Sequence, residues 1–213
     1  MNILRIDCSP RAGSHSRKLS AALLGRLLAM DPDAQVTHRD LGREPIAHPE
    51  ADYAAMLSSP GALAGGQASE AMRLSEALIQ EVEAADVLVI GTPMNNFTVP
   101  SVFKAWIDQV LRMGRTMGAT PAGEKVGLLQ DKPVYIGIAS GGVFTGERAR
   151  QPDFLIPYLK AAFGCVGLNS LQFFPLQATA FVGDEQLAAD QETLLAGMDV
   201  SGIGLEMTGE ALG

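Results

Sequence analysis

Short apolar runs alternate with stretches of helical periodicity along the chain. The clearest run is VLVI at residues 87–90, a β-branched segment typical of a strand covered on both faces of a parallel sheet. The loop GTPMNNFTVP separates it from a helix in which Phe103, Trp106 and Ile107 begin an apolar pattern that repeats every three to four residues. The other predicted strands cover residues 3–8, 34–40, 133–140 and 171–176, and the other predicted helices cover residues 19–28, 71–82, 154–165 and 185–196.

This alternation predicts a three-layer doubly wound α/β fold with a five-stranded parallel sheet. We expect the strand order 2-1-3-4-5, which is common in such sheets. Neither an internal repeat nor a linker interrupts residues 1–213, so we expect one domain. Three segments lack a regular pattern: the connection 41–66, an insertion at about 114–131 and a Gly-rich tail from about 197, which we expect to be flexible.

Charge and composition narrow the classes of partner. The 213 residues are 47% hydrophobic and carry a net charge of −8, which argues against a nucleic acid or an anionic membrane as partner. Two cysteines, Cys8 and Cys165, are too few for a disulfide framework or a four-cysteine zinc site. No apolar run approaches the roughly 20 residues that cross a bilayer, and the first residues already have a strand pattern, so the predicted location is cytoplasmic.

Charged residues enter the first predicted strand, where Arg5 and Asp7 share one face. Two charges in a central strand are unusual, and they require either pairing with each other or a position near the open end of the strand.

Unusual residues also cluster in three loops that follow the first, third and fourth predicted strands. With the order 2-1-3-4-5 these strands are neighbours, and the switch point of the sheet lies between the first and the third. Ligands of open parallel sheets bind in the crevice at the carboxyl ends of the strands. The sequence therefore predicts that the three loops converge on one ligand site.

The first loop, SPRAGSHS, has the donors of a phosphate site. Ser9, Ser14 and Ser16 supply hydroxyls, His15 adds a further donor, and the N–H groups at the start of the next helix complete the set. A plain helix N-cap is the equally good alternative for Ser14 or Ser16. The chain has no GxxxxGK[ST], which excludes a nucleoside-triphosphate P-loop, and no GxGxxG, which argues against a dinucleotide fold of that type.

Cys8 requires a separate comparison, because low-molecular-weight tyrosine phosphatases place their nucleophile at the end of the first strand. In those enzymes five residues and then an arginine follow the cysteine, whereas this chain has Ser14 at that position. Without the arginine a thiolate lacks its main stabilising partner. We therefore expect Cys8 to be a small buried apolar residue.

The second and third loops suit a flat polar ligand. Met94, Asn95, Asn96 and Phe97 lie between two prolines, and their amides can bind the edge of a heteroaromatic ring. In the third loop, the Ser-Gly-Gly sequence at 140–142 lets backbone approach a ligand closely. Ordinary turns explain each loop when it is considered alone.

Together these segments carry a more specific signal. SPRAGSHS, PMNNFTVPSVFKAWIDQVLRMGRTM, ASGGVF and GCVGLNSLQFF resemble, in this order, the FMN-dependent NADH:quinone oxidoreductases known as azoreductases. These are flavodoxin-like homodimers, and the resemblance covers nearly the whole chain. It implies a flavodoxin-like fold, bound FMN, NADH as reductant, a quinone or azo compound as substrate, and active sites at the dimer interface.

The resemblance also assigns residues. It implies that the FMN phosphate is bound by Ser9, Ser14, His15 and Ser16, that the ring rests against Met94, Asn95, Asn96 and Phe97, and that its other side is bounded by Ala139, Ser140, Gly141 and Gly142. Two positions depart from the family pattern: many members have an aromatic residue at Asn95, and a long residue is common near Ser140. Both departures concern substrate preference more than FMN binding.

The implied mechanism needs no catalytic side chain and no metal, because the cofactor carries the chemistry. His38 and His48 are expected at the surface. The helix 103–111 and the insertion 114–131 are candidates for the dimer interface. The alternatives are a flavodoxin-like FMN electron carrier, a general NAD(P)H:FMN reductase and a flavin-free binding protein. The sequence leaves open the physiological acceptor and the choice between NADH and NADPH, although Arg11 or Arg148 is available for a 2′-phosphate.

Overall fold

The computed structural model describes residues 1–58 and 70–203. Within these residues seven strands follow one another: β1 Asn2–Asp7, β2 Gln35–Asp40, β3 Val87–Pro93, β4 Met117–Ala119, β5 Lys125–Gly127, β6 Val134–Ala139 and β7 Leu171–Leu176. Five of them form a parallel sheet in the order β2-β1-β3-β6-β7. This confirms the predicted order 2-1-3-4-5, with β6 and β7 as the fourth and fifth predicted strands.

Six α-helices of the described residues surround the sheet: α1 His15–Met30, α2 Ala51–Leu57, α3 Arg73–Ala84, α4 Ser101–Val110, α5 Ile156–Val166 and α6 Asp184–Ala196. Helices α1 and α6 pack on one face of the sheet, where Leu19, Leu23 and Leu187 join a single apolar cluster. Helices α3, α4 and α5 pack on the other face, in a cluster that includes Trp106 and Phe163. The fold therefore has the predicted three layers. None of the described helices is both long and apolar enough to cross a membrane.

Central strand β3 is buried along its length because helices cover both of its faces. Two glycines bring α1 unusually close to the sheet. A Cβ on Gly91 would lie 2.6 Å from the Ser16 carbonyl oxygen, and a Cβ on Gly137 would lie 2.8 Å from Cγ of Leu19. The first turn of α1 consequently sits directly on β3 and β6.

Some local predictions were wrong. The segment 114–131, predicted to be irregular, contains the antiparallel hairpin of β4 and β5. These strands have three residues each, too few to show an alternating pattern. Within the connection 41–66, α2 is also helical, with Tyr53 as its buried residue. A single buried position gives no helical repeat to recognise.

Directly after α6, residues 197–203 contact the sheet. The Tyr135 hydroxyl donates to the Asp199 carbonyl at 2.9 Å, and the Asp199 amide donates to the Gln172 side chain at 2.9 Å. The rest of the predicted tail, 204–213, lies outside the described residues, as does 59–66 of the long connection.

Candidate active site

The three predicted loops emerge next to one another at the carboxyl edge of the sheet. Their strands β1, β3 and β6 are hydrogen-bonded neighbours. The pairing continues past the strands: the Cys8 amide donates to the Gly91 carbonyl at 2.9 Å, and the Met94 amide donates to the Ala139 carbonyl at 2.9 Å. The topology therefore forms one crevice from three separate segments of sequence.

In the first loop, Ser14 is the N-cap of α1. Its backbone is extended, and its Oγ accepts a hydrogen bond from the Arg17 amide at 3.3 Å. A further hydrogen bond of 2.8 Å joins the hydroxyls of Ser14 and Ser16. Among the described residues, the amides of His15 and Ser16 find no acceptor. Ser14 thus caps the helix and also leaves a first turn with free N–H groups, which is the geometry that attracts an anion.

Buried charges lie beneath this loop. The guanidinium of Arg17 donates to both carboxylate oxygens of Asp40, with an Nη1–Oδ2 distance of 2.8 Å. Its Nε donates to the Ser9 carbonyl at 2.7 Å. The ion pair lowers the pKa of Asp40 and raises the pKa of Arg17. Arg17, Asp40 and the Ser9 carbonyl are called the Arg17 bridge below.

Asp7 is completely buried at the end of β1. Its carboxylate lies 2.9 Å from Nη2 of Arg5 and 2.9 Å from Nε2 of His38, and it accepts a hydrogen bond from Ser20 Oγ at 2.7 Å. Both conditions proposed for the charged pair in β1 are met, because Arg5 and Asp7 pair and Asp7 lies at the open end of the strand. The expected surface position of His38 is consistent with a side chain that is 42% exposed.

Cys8 points into the apolar core on the α3, α4 and α5 side of the sheet. Burial, reinforced by the nearby charge of Asp7, raises the pKa of the thiol well above its usual range. The prediction of a buried apolar role is confirmed.

The second loop is a tight turn. Asn95 and Thr98 exchange backbone hydrogen bonds of 2.9 and 3.0 Å, and the two residues between them have positive φ angles, 48° for Asn96 and 73° for Phe97. Positive φ at both central positions is the signature of a type I′ turn. Phenylalanine rarely adopts it, and strained positions of this kind concentrate at functional sites. Asn95, Asn96 and Phe97 are exposed, so the turn presents two amides and one ring.

The third loop is joined to the second through Gln151, which no sequence motif identified. Nε2 of Gln151 lies 3.2 Å from the sulfur of Met94 and 3.0 Å from Oγ of Ser140. Ser140 is buried, and Ala139 ends β6 directly before it. A Cβ on Gly142 would lie 2.8 Å from Oε1 of Gln151, so only a glycine leaves Gln151 undisturbed.

The third loop forms one wall of the crevice, and hydrogen bonds with neighbouring segments hold it in place. The Thr179 amide donates to the Ser140 carbonyl at 3.0 Å, and the amides of Phe144 and Thr145 share Oε1 of Gln177 at 2.7 and 2.9 Å. Gly141 is exposed, and its nearest potential neighbour for a Cβ is Ala180 at 3.5 Å. The wall therefore presents backbone rather than side chains to the crevice.

Phe154 is a second feature that sequence reasoning missed. The helix pattern included it in α5, but the helix begins at Ile156, and the Phe154 ring is 60% exposed. Its amide donates to the Phe97 carbonyl at 3.1 Å, and its carbonyl accepts from the Thr98 hydroxyl at 3.3 Å. Two exposed aromatic residues, Phe97 and Phe154, thus stand at the same margin of the crevice.

These residues fit FMN. Free N–H groups and serine hydroxyls at a helix N-terminus suit its phosphate, and the exposed amides with a narrow backbone wall suit a flat heteroaromatic ring. Within residues 1–58 and 70–203, no group of three or more His, Cys, Asp or Glu side chains is placed to hold a metal ion.

The fold and this crevice define a flavodoxin-like protein. A family model described as the flavodoxin-like fold matches residues 1–197. The structure is also similar to that of an azoreductase from Bacillus anthracis strain Sterne, with a TM-score of 0.79 and 25% identity over 92% of this chain and 97% of that one.

Curated relatives narrow the class. FMN-dependent NADH:quinone oxidoreductase 4 of Pseudomonas fluorescens strain Pf-5 is 46% identical over 189 residues, which are 88% of this chain and 89% of that protein. FMN-dependent NADH:quinone oxidoreductase 5 of Burkholderia lata is 44% identical over 84% of this chain and 86% of that protein. The chain belongs to the flavodoxin-like FMN-dependent NADH:quinone oxidoreductase family, as the resemblance predicts.

Proposed function

We propose that this protein is an FMN-dependent oxidoreductase that uses NADH to reduce quinones and, by reductive cleavage, aromatic azo compounds. The observation that carries the proposal is the convergence of the three loops on one crevice at the carboxyl edge of the sheet. The names of the relatives and of the azoreductase structure support the choice of reductant, cofactor and substrate classes.

Each loop has its own part in binding. The phosphate would be held by the hydroxyls of Ser9, Ser14 and Ser16, by His15, and by the free amides of the first turn of α1. The ring would contact the turn at Met94, Asn95, Asn96 and Phe97, with Ala139, Ser140, Gly141 and Gly142 on its other side. Gln151 sets the spacing between these two walls, because it touches both Met94 and Ser140.

FMN held by these residues would supply the hydride and two-electron transfer chemistry that links NADH to the acceptor. The chain positions the reactants and stabilises charge, and none of the assigned side chains has to ionise. Backbone N–H groups at Gly141 and Gly142 are placed to hold negative charge at the edge of the ring. Substrates would enter past Phe97 and Phe154, whose exposed rings provide an apolar margin for a planar acceptor.

An electron carrier that covers its flavin on both faces is the main alternative. Phe144 follows the Ser-Gly-Gly loop, but it is only 3% exposed and packs in the core, where it cannot stack on the ring. Phe97 and Phe154 are both on one margin of the crevice. This arrangement favours an open ring that substrates can reach, and thus a reductase.

A homodimer belongs to the same proposal. Of the two elements predicted at the interface, α4 directs Phe103, Trp106 and Ile107 into the core. The region of the hairpin instead exposes apolar side chains, with Leu128 at 52% and Val126 at 41%. We therefore assign the contact to the hairpin rather than to α4. Leu128→Glu should shift sedimentation from dimer to monomer at micromolar concentration, and a wild-type monomer would contradict the assignment.

Absorbance and two assays test the function. The purified protein should be yellow, and NADH oxidation should depend on added menadione or an azo dye. Bound flavin without acceptor-dependent NADH oxidation would indicate a carrier, and a colourless protein that takes up no FMN would refute the proposal. Parallel assays with NADPH establish the nucleotide preference. The cytoplasmic location stays a prediction.

A further inference from the structure

Arg17 is the buried arginine closest in sequence to the predicted phosphate loop, yet its guanidinium is engaged by protein acceptors. The residue is only 8% exposed. Its two terminal nitrogens bind Asp40, and Nη1 also lies 3.7 Å from the Asp7 carboxylate. Nε donates to the Ser9 carbonyl at 2.7 Å. All three guanidinium nitrogens are thus engaged with protein acceptors, which makes Arg17 poorly suited to bind a phosphate directly.

The same contacts hold the loop in place. Ser9 is fixed from one side by Arg17 and from the other by Gly42, where a Cβ would lie only 2.1 Å from the Ser9 carbonyl oxygen. The Gly42 amide in turn donates to the Asp7 carbonyl at 3.0 Å. The end of β2, the end of β1 and the first turn of α1 therefore meet at the Arg17 bridge.

We propose that Arg17 is a positioning residue for the FMN phosphate: through the Arg17 bridge it fixes the Ser9 backbone and the start of α1 in the arrangement that binds the phosphate. This inference rests on the proposed FMN function. The planar guanidinium of Arg17 can donate from its two terminal nitrogens to Asp40 and from Nε to the Ser9 carbonyl at the same time. The ammonium of a lysine cannot reach both acceptors in the same geometry. Arg17 therefore acts mainly by holding Ser9 and the start of α1 in place, and less by adding a positive charge near the phosphate.

Riboflavin separates phosphate binding from ring binding, because it lacks the phosphate. Dissociation constants of apoprotein for FMN and for riboflavin are measured by quenching of flavin fluorescence. Arg17→Lys and Arg17→Met should weaken FMN binding by about 10- to 100-fold, the range expected when a charge-assisted hydrogen bond is lost, and should change riboflavin binding by less than about threefold.

Arg43 provides a matched control. It also lies beside Asp40, with Nε 3.9 Å from Oδ2, but its side chain is 58% exposed and its position is outside the Arg17 bridge. Arg43→Met removes one positive charge from the same carboxylate, so both flavins should bind within about threefold of wild type. Equal FMN losses in the Arg43 and Arg17 variants would overturn the proposal in favour of a general charge effect.

Two other results would also overturn it. Wild-type FMN affinity in Arg17→Lys would mean that charge alone suffices, and parallel losses of FMN and riboflavin would mean general destabilisation. If both Arg17 variants fail to fold, Asp40→Asn tests the other end of the bridge: a loss confined to FMN supports positioning, while unchanged or tighter FMN binding refutes it. A wild-type protein that binds no FMN refutes the proposed function, whereas wild-type binding with unaffected variants refutes this inference alone.

Discussion

Gly91 lies in β3 directly beneath the first turn of α1. We therefore expect Gly91→Ala to lower the stability of the protein and to displace the phosphate loop as well. The added Cβ would lie 2.6 Å from the Ser16 carbonyl oxygen, 2.8 Å from Oδ1 of Asp7 and 2.8 Å from Cβ of Ser20. None of these atoms is the free end of a flexible side chain, since Asp7 is held by Ser20, Arg5 and His38. Carbon contacts are optimal at about 3.5–4.0 Å, so α1 must move outward by about 1 Å.

Overpacking of this kind typically costs about 1–3 kcal/mol. For a protein of this size, 1 kcal/mol corresponds to a Tm change of about 2–4 °C, so a cost of about 2 kcal/mol lowers Tm by about 4–8 °C. Because the displaced turn carries Ser14 and Ser16, FMN affinity should fall by about tenfold as well, the loss expected when about 1.4 kcal/mol of binding free energy disappears.

Gly25 is the matched control in the same helix. A Cβ there meets nothing within 4 Å, so Gly25→Ala should stabilise the protein by about 0.5–1 kcal/mol through helix propensity. Thermal unfolding of both apoproteins and fluorescence titration with FMN provide the measurements. A Gly91→Ala protein as stable as wild type would refute the steric reasoning, and normal FMN affinity in a destabilised variant would show that the loop is not coupled to β3.

Three further outcomes are expected. Gly142→Val should slow flavin reduction by NADH by at least about tenfold, because the valine side chain displaces Gln151 and disturbs the backbone donors. Stopped-flow absorbance measures the rate of flavin reduction. An unchanged rate together with unchanged FMN affinity would contradict this prediction. The hydrogen bonds from Arg115 lower the pKa of Glu76 from its usual value, so the stabilisation is complete above the pKa of an unfolded glutamate and is lost as the pH falls through the lowered pKa. The Tm difference between wild type and Glu76→Gln should therefore shrink in acid, and a constant difference would argue against the ion pair. Cys8 should resist iodoacetamide at about pH 8 until urea unfolds the protein, as mass spectrometry would show.

Local patterns predicted most of the framework because burial repeats along each element. The apolar run of β3 and the three-to-four spacing of Phe103 and Trp106 identify a covered strand and an amphipathic helix directly. The β4–β5 hairpin and α2 were missed for the complementary reason: their few buried positions leave no period in the sequence. Phe154 was misassigned to α5 because apolar spacing alone cannot distinguish a helical residue from an exposed residue just before the helix.

The α/β class and the positions of the strands and of the three loops could be predicted from the sequence, since hydrophobic period and turn chemistry are local properties. The strand order came from the arrangement common to such sheets and not from a local pattern. Tertiary structure alone decided how the loops are held together. Gln151 reaches Met94 and Ser140 from another segment, and Arg17 joins Asp40 to the Ser9 carbonyl across two strands. Such contacts depend on distances between segments far apart in the chain, and no pattern of neighbouring residues encodes those distances.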